Sequence, residues 1–218
     1  MTARTIRVLD LFAGAGGLTA GFHTASSRFR SIAAVEMDPE AAASYRATFP
    51  KTDVYAGAIQ DWLAEGTIPT SVDVVVGGPP CQGFSTLGKR DAEDARNRLW
   101  EQYAQVIQRA RPKYFVVENV PAFGKSPQYR DFLAATRPGE FLEDYSFDFR
   151  VLNAADYGAP QARRRAVLIG HHNDMTAPGF PEPTHSPDGG GDLPPYRTVR
   201  QTLLGVPAQP DMDERFDQ

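Results

Sequence analysis

The run Gly77-Gly78-Pro79-Pro80-Cys81-Gln82-Gly83-Phe84-Ser85 holds the only cysteine of this 218-residue chain. A thiolate is a strong nucleophile, and cationic neighbours favour its formation. Two prolines stiffen the backbone just ahead of Cys81 and so narrow the freedom of its thiol. Free cysteines more often pack as small buried hydrophobes. A Gly-Gly-Pro-Pro approach suits a presented side chain better than core packing. Glu118 and the triplet Arg163-Arg164-Arg165 form a second group of candidates. Alone they are bland, since a strand-end glutamate is often a surface group and an arginine triplet often a solvated patch or a phosphate contact.

A different chemistry is suggested by Asp10-Leu11-Phe12-Ala13-Gly14-Ala15-Gly16-Gly17-Leu18. Glycines here let the backbone adopt positive φ and approach a ligand closely. A helix opening on this turn adds free amides and a partial positive charge. Glu36 is placed to end the next strand, where a carboxylate can grip two ribose hydroxyls. A dinucleotide fingerprint starting at Gly14 would need glycine at position 19, where this chain has Thr19. A nucleoside cofactor without a pyrophosphate fits at least as well, S-adenosylmethionine among them. A tight turn with no ligand is the plain alternative.

The elements that must position these residues read as an α/β fold on a mostly parallel sheet. Strands are expected over residues 6–12, 31–37, 72–76 and 113–118, with a further one over 166–171. The runs Val72-Asp73-Val74-Val75-Val76 and Tyr114-Phe115-Val116-Val117 have the near-continuous apolar character of strands buried on both faces. Leu99, Tyr103, Val106, Ile107 and Ala110 recur at helical spacing, which predicts a helix over 97–110 closed by Pro112. Another helix should start at Pro39 and run to about Phe49. The loop at Pro79–Cys81 then lies at a strand's carboxyl end, where open α/β sheets bind ligands. Residues 177–195 are rich in proline and glycine and include Gly189-Gly190-Gly191, so they are expected as a surface connector. Residues 1–175 would form the catalytic and cofactor-binding domain and 176–218 a connector and tail. The polar end, 211–218, is expected to lack structure of its own.

Four segments together resemble the C5-cytosine-specific DNA methyltransferase family. Pro79-Pro80-Cys81-Gln82-Gly83-Phe84-Ser85 is similar to its nucleophile motif and Asp10–Gly17 to its cofactor motif. Glu118-Asn119-Val120 resembles its Glu-Asn-Val motif, and Gln161-Ala162-Arg163-Arg164-Arg165 its Gln-x-Arg-x-Arg motif. They occur in the family's order, across roughly residues 6 to 170. The resemblance implies a Rossmann-like S-adenosylmethionine-dependent methyltransferase fold with helices on both faces of the sheet. It implies methyl transfer from S-adenosylmethionine to C5 of a cytosine flipped out of double-stranded DNA. Cys81 would add to C6, Glu118 would act at N3, and Arg163 with Arg165 would orient the base. Phe12, Ala13, Gly14, Gly16, Gly17, Leu18, Glu36, Met37, Ile59, Pro79 and Leu99 would surround the cofactor. Gln82, Ser85, Lys89, Arg90, Arg96 and Gln161 would face DNA, the segment 82–96 closing as a lid.

The sequence departs from that family in places. An aspartate that commonly meets the cofactor's adenine amino group is replaced by Ala58, with Asp61 three residues away. Thr198-Val199-Arg200-Gln201-Thr202-Leu203-Leu204 resembles the segment ahead of the target-recognition region. That region and the last two family motifs, one of which completes the cofactor domain, are not found. The expectation is a split-enzyme subunit completed by a second polypeptide, or a fragment or remnant, with an apolar face left bare.

Composition agrees. A net charge of −4 lacks the general basic footprint of a nucleic-acid binder, leaving only local cationic clusters. A single cysteine excludes an internal disulfide and fits a reducing cytoplasm. No signal peptide or membrane-spanning run is expected, and His23, His171, His172 and His185 have no metal-ligand spacing with the cysteine. Other readings are a tRNA cytosine-5 methyltransferase, a cofactor-binding module without catalysis, and a nicotinamide oxidoreductase. Gly83 disfavours the first, since the tRNA-directed branch has proline there. Thr19 and the Pro-Pro-Cys loop disfavour the last.

Overall fold

The computed structural model describes residues 4–66, 68–80 and 99–204. Its strands are β1 (Ile6–Leu11), β2 (Phe29–Glu36), β3 (Asp53–Ala56), β4 (Val74–Gly77), β5 (Tyr114–Asn119), β6 (Tyr145–Asn153) and β7 (Arg164–His172). The helices are α1 (Gly17–Ala25), α2 (Pro39–Thr48), α3 (Ile59–Glu65), α4 (Leu99–Ala110), α5 (Pro127–Ala135) and α6 (Val199–Leu203). The strands form one sheet in the order β3-β2-β1-β4-β5-β7-β6. β1 to β5 pair in parallel along that order, and β7 runs antiparallel to β5. This is the mixed α/β architecture expected, with each anticipated strand present and its ends shifted by a residue or two.

Local chemistry sets the element ends. Asp38 caps α2, its carboxylate accepting from the amides of Glu40 and Ala41, and Pro39 holds the first helical position. Ser126 caps α5 in the same way through the amide of Tyr129, again with proline next. Gly16 precedes α1 at φ 92, and a Cβ there would lie 2.5 Å from the Phe49 ring. Only glycine satisfies both conditions.

One sheet face buries Leu9, Leu11, Val75, Phe115, Val117 and Leu168 beneath α3, α4 and α5. The Tyr103 hydroxyl of α4 reaches the carbonyls of Val75 (3.1 Å) and Val116 (2.9 Å), fixing that helix over β4 and β5. The other face packs Ala34 and Val54 against Ala42 and Tyr45 of α2, and Val8, Val74 and Val76 beside Leu18 and Phe22 of α1. Farther along it, Val116 of β5 faces Ile169 of β7 across the ladder, and both are only half-buried. The outward side of α1 carries an apolar groove of about 280 Å³ lined by Gly17, Leu18, Gly21, Phe22 and Ala25.

By its contacts the chain divides into one unit of residues 1–151 and 165–180 and a second of 152–164 and 181–218. In the second, the described residues of the proline-rich segment have no regular structure beyond an isolated bridge between Ser186 and Pro195. They are nevertheless anchored, since the amides of Thr184 and His185 donate to the Asp156 carbonyl (2.8 and 2.9 Å) and Tyr196 donates to the Asp156 carboxylate. The tail 211–218 lies outside the described residues. No helix among the described residues is long and apolar enough to cross a membrane.

A buried polar chain joins four elements behind the glycine turn. Thr19 donates to Asp10 Oδ2 (2.8 Å), and the Tyr45 hydroxyl lies 2.8 Å from both Thr19 Oγ1 and Ser31 Oγ. Asp10 is fully buried, and its Oδ1 has no hydrogen-bond partner among the described residues. Burial, reinforced by the nearby Glu36 charge, pushes its carboxyl up to about 7 against the Thr19 hydrogen bond. The unfolded chain releases that proton near 3.8, so between these values the native state binds more protons. Stability is therefore expected to fall as pH rises from about 4 to about 7, by on the order of 2–4 kcal/mol. Urea unfolding across this range should show the decline in the wild-type chain and a flatter profile for Asp10→Asn. Identical profiles would refute it.

Candidate functional site

The carboxyl ends of β1, β2 and β4 border a cavity of about 230 Å³. Glu36, the last residue of β2, organises its rim. Its Oε2 accepts from the Gly14 amide (2.7 Å) and its Oε1 from the Asp38 amide (2.8 Å). Each carboxylate oxygen keeps a lone pair, so the group can still receive two hydroxyl donors. Phe12 lines the cavity with φ 54, a left-handed conformation unusual for a bulky residue and a mark of a constrained turn. Met37 also lines it and is 71% exposed, an apolar side chain left in water at the rim. Ile59 and Leu99 complete the set of expected cofactor residues found in this wall.

The remaining expected residues take other places. Gly14 supplies the amide that holds Glu36, and Gly16 shapes the start of α1. Ala13 is tied back to β2, its amide donating to the Val35 carbonyl (3.1 Å). Gly17 and Leu18 line the separate groove on α1. Pro79 is buried, while its neighbours Gly78 and Pro80 meet the cavity. Gly57, Ala58, Gln60 and Val35 also line it. Sequence reasoning did not single out Gln60, and it read Gly78 only as part of the approach to Cys81. Asp61 stands in the first turn of α3 and is not part of this wall.

A second polar centre adjoins the loop after β4. Arg165 Nε donates to Glu118 Oε1 at 2.7 Å, and both side chains are about three-tenths exposed (27% and 30%). The antiparallel pairing of β5 and β7 places their carboxyl and amino ends together and makes this contact possible. Gly78 approaches the same carboxylate, since a Cβ there would lie 3.1 Å from Glu118 Oε2. Asn119 donates from Nδ2 to the Pro79 carbonyl (2.9 Å) and accepts the Val120 amide at Oδ1 (2.8 Å). The Glu-Asn-Val segment thus holds the backbone two residues ahead of position 81. Asn119 was not expected in this role, although its buried polar side chain is the kind of group that must find a partner.

Arg163 and Gln161 belong to the second unit and are exposed. The Arg163 carbonyl accepts from Ala154 (2.9 Å) and its amide donates to the Gln161 carbonyl (2.9 Å). Cys81, Gln82, Ser85, Lys89, Arg90 and Arg96 lie outside the described residues. Among the described residues no group of three or more His, Cys, Asp or Glu side chains could hold a metal ion.

A sheet of this order, with a glycine turn after β1 and a carboxylate closing β2, is that of a Rossmann-like methyltransferase fold. The sequence matches the C-5 cytosine-specific DNA methylase family over residues 6–203, and the chain belongs to that family. It is 42% identical over 198 residues to the Type II methyltransferase M.XorII of Xanthomonas oryzae, covering 85% of this chain but 46% of that protein. It is 35% identical to the Type II methyltransferase M.AquIA of Picosynechococcus, covering 92% of this chain and 89% of that relative. Among solved structures it resembles a DNA modification methyltransferase encoded within an Escherichia coli prophage, with TM-score 0.68 and 27% identity over 94% of this chain and 56% of that one.

Asn119→Ala removes the donor that holds the Pro79 carbonyl. It is expected to cost about 1–3 kcal/mol in chemical denaturation. Unchanged stability would mean that the loop is held by other contacts.

Proposed function

We propose that this chain is the chemical part of a DNA (cytosine-5)-methyltransferase. The observation that carries the reading is the meeting of Glu118, Arg165 and Gly78 where Asn119 holds Pro79, just ahead of Cys81. The cavity beside Glu36 suits S-adenosylmethionine, because a carboxylate with two spare lone pairs matches a ribose diol and Phe12, Met37, Ile59 and Leu99 offer apolar contact to a base. That cofactor supplies an electrophilic methyl group when bound.

Carbon 5 of cytosine is too weak a nucleophile to take a methyl group unaided. The Cys81 thiolate adds to C6, and the ring electrons shift to make C5 an enamine carbon. Glu118 binds N3 and supplies the hydrogen bond or proton that draws the electrons there. Arg165, held against Glu118, orients that carboxyl and the base. Once C5 is methylated, a base removes the C5 proton and the sulfur leaves C6 with the ring restored. The target cytosine must leave the duplex to reach these groups, with Gln82, Ser85, Lys89, Arg90, Arg96 and Gln161 on the DNA side.

A second polypeptide, or a further segment, completes the enzyme in this reading. The half-buried Val116 and Ile169 and the groove on α1 supply an apolar surface for it to cover. M.AquIA, whose length this chain nearly spans, is a Type II methyltransferase of comparable size.

Purified chain and Cys81→Ser should be given labelled S-adenosylmethionine with mixed-sequence duplex DNA and, separately, bulk tRNA. Label on DNA that Cys81→Ser abolishes by more than about a hundredfold is expected of an essential nucleophile. Label on tRNA alone would overturn the substrate. Cofactor binding without transfer would make this chain a half-enzyme requiring its complement.

A further inference from the structure

Among the described residues, only two side chains in the cavity wall carry polar atoms: Glu36 and Gln60. Glu36 is already committed to the backbone amides of Gly14 and Asp38, and its remaining lone pairs suit a diol. Phe12, Val35, Met37, Ile59 and Leu99 offer apolar surface only. Ala58, where the family resemblance led to an expected aspartate, offers a methyl group. Among the described residues, a purine lying in this cavity therefore meets one side chain able to read its edge. Gln60 is exposed on the first turn of α3, and its carboxamide makes no hydrogen bond to a described residue.

We infer that Gln60 reads the cofactor's base. Its Oε1 accepts from the exocyclic amino group of adenine while Nε2 donates to the adjacent ring nitrogen. A carboxamide offers a donor and an acceptor side by side, which is the complement of adenine's amino-and-nitrogen edge. The assignment rests on the cavity being the S-adenosylmethionine site. It also has a consequence for selectivity. A carboxylate only accepts, so in this two-point geometry one of its oxygens would oppose adenine's ring nitrogen or hypoxanthine's carbonyl. A carboxamide can turn over and donate to that carbonyl. Discrimination between adenine and hypoxanthine is therefore weak in this protein.

Calorimetric titration of the full chain with S-adenosylhomocysteine and its deaminated inosyl analogue tests this directly. The wild-type chain should bind both within roughly tenfold of each other. Gln60→Leu should weaken the adenosyl ligand by roughly five- to twentyfold. Gln60→Glu, close in size but without the Nε2 donor to the ring nitrogen, should weaken the adenosyl ligand by a similar factor. Loss in both variants, beside near-equal binding of the two ligands by the wild-type chain, distinguishes base reading from a merely structural part. Unchanged adenosyl affinity in Gln60→Leu would overturn the assignment and leave the cofactor site standing. Failure of the wild-type chain to bind either ligand would overturn both.

Discussion

β4 ends on Gly77 because nothing larger fits there. A Cβ at that position would sit 2.4 Å from the Leu11 carbonyl oxygen and 3.0 Å from the Tyr103 ring. Two central strands therefore finish side by side, in register at Leu11 and Gly77, with no side chain between them. From that point β1 turns into the glycine loop at Phe12 while the chain leaves β4 through Gly78 toward Pro79. The cavity bordered by Glu36 and the ion pair of Glu118 with Arg165 both draw on this junction, Gly78 lying beside each. Ligand sites at the carboxyl ends of parallel strands follow from this arrangement, since the loops diverge there and leave a crevice.

Thr19 shows how the same turn is stabilised from behind. A dinucleotide-binding turn would place glycine at that position to bring helix and strand close. Here the hydroxyl satisfies one oxygen of the fully buried Asp10 and extends the contact to Tyr45 and Ser31. Three hydroxyls thereby join β1, α1, β2 and α2 in a single polar cluster. The other Asp10 oxygen has no described partner, so the cluster is not an optimised core. Burying that carboxyl costs stability above neutrality, and the cost falls directly behind the glycine turn.

Much of this was legible before any coordinates. The β-branched runs at 72–76 and 114–117 could only be buried strands, and the period of Leu99, Tyr103, Val106 and Ile107 could only be a helix over them. Glu36 was readable because an acidic residue closes an otherwise apolar strand. Other parts were not. β3 has four residues, too few for a pattern, and β6 alternates Tyr145, Phe147 and Phe149 with polar partners but follows no turn signal strong enough to mark its start. The sites of Asn119 and Gln60 depend on which backbone carbonyl or cavity lies across from them, and that is a tertiary fact. Glycines 17 and 21 read alike in sequence whether they serve a ligand or a helix face, and here Gly17 lines an apolar groove.

The charge balance bears on how the proposed work is divided. The proposed cytosine chemistry calls for one well-placed cation, and Arg165, only 27% exposed and paired with Glu118, is the candidate. Duplex affinity is a different demand, because it grows with the number of phosphates neutralised and counterions released. A chain of net charge −4 is poorly matched to that demand over its whole surface. Arg163 and Arg164 are exposed, but phosphate contacts made by such residues would orient a strand without specifying its sequence. The half-buried pair Val116 and Ile169 and, separately, the groove on α1 are the opposite kind of surface: they ask for a packed neighbour. Under the proposed function, a second polypeptide that reads the target sequence and covers an apolar face would meet both features at once.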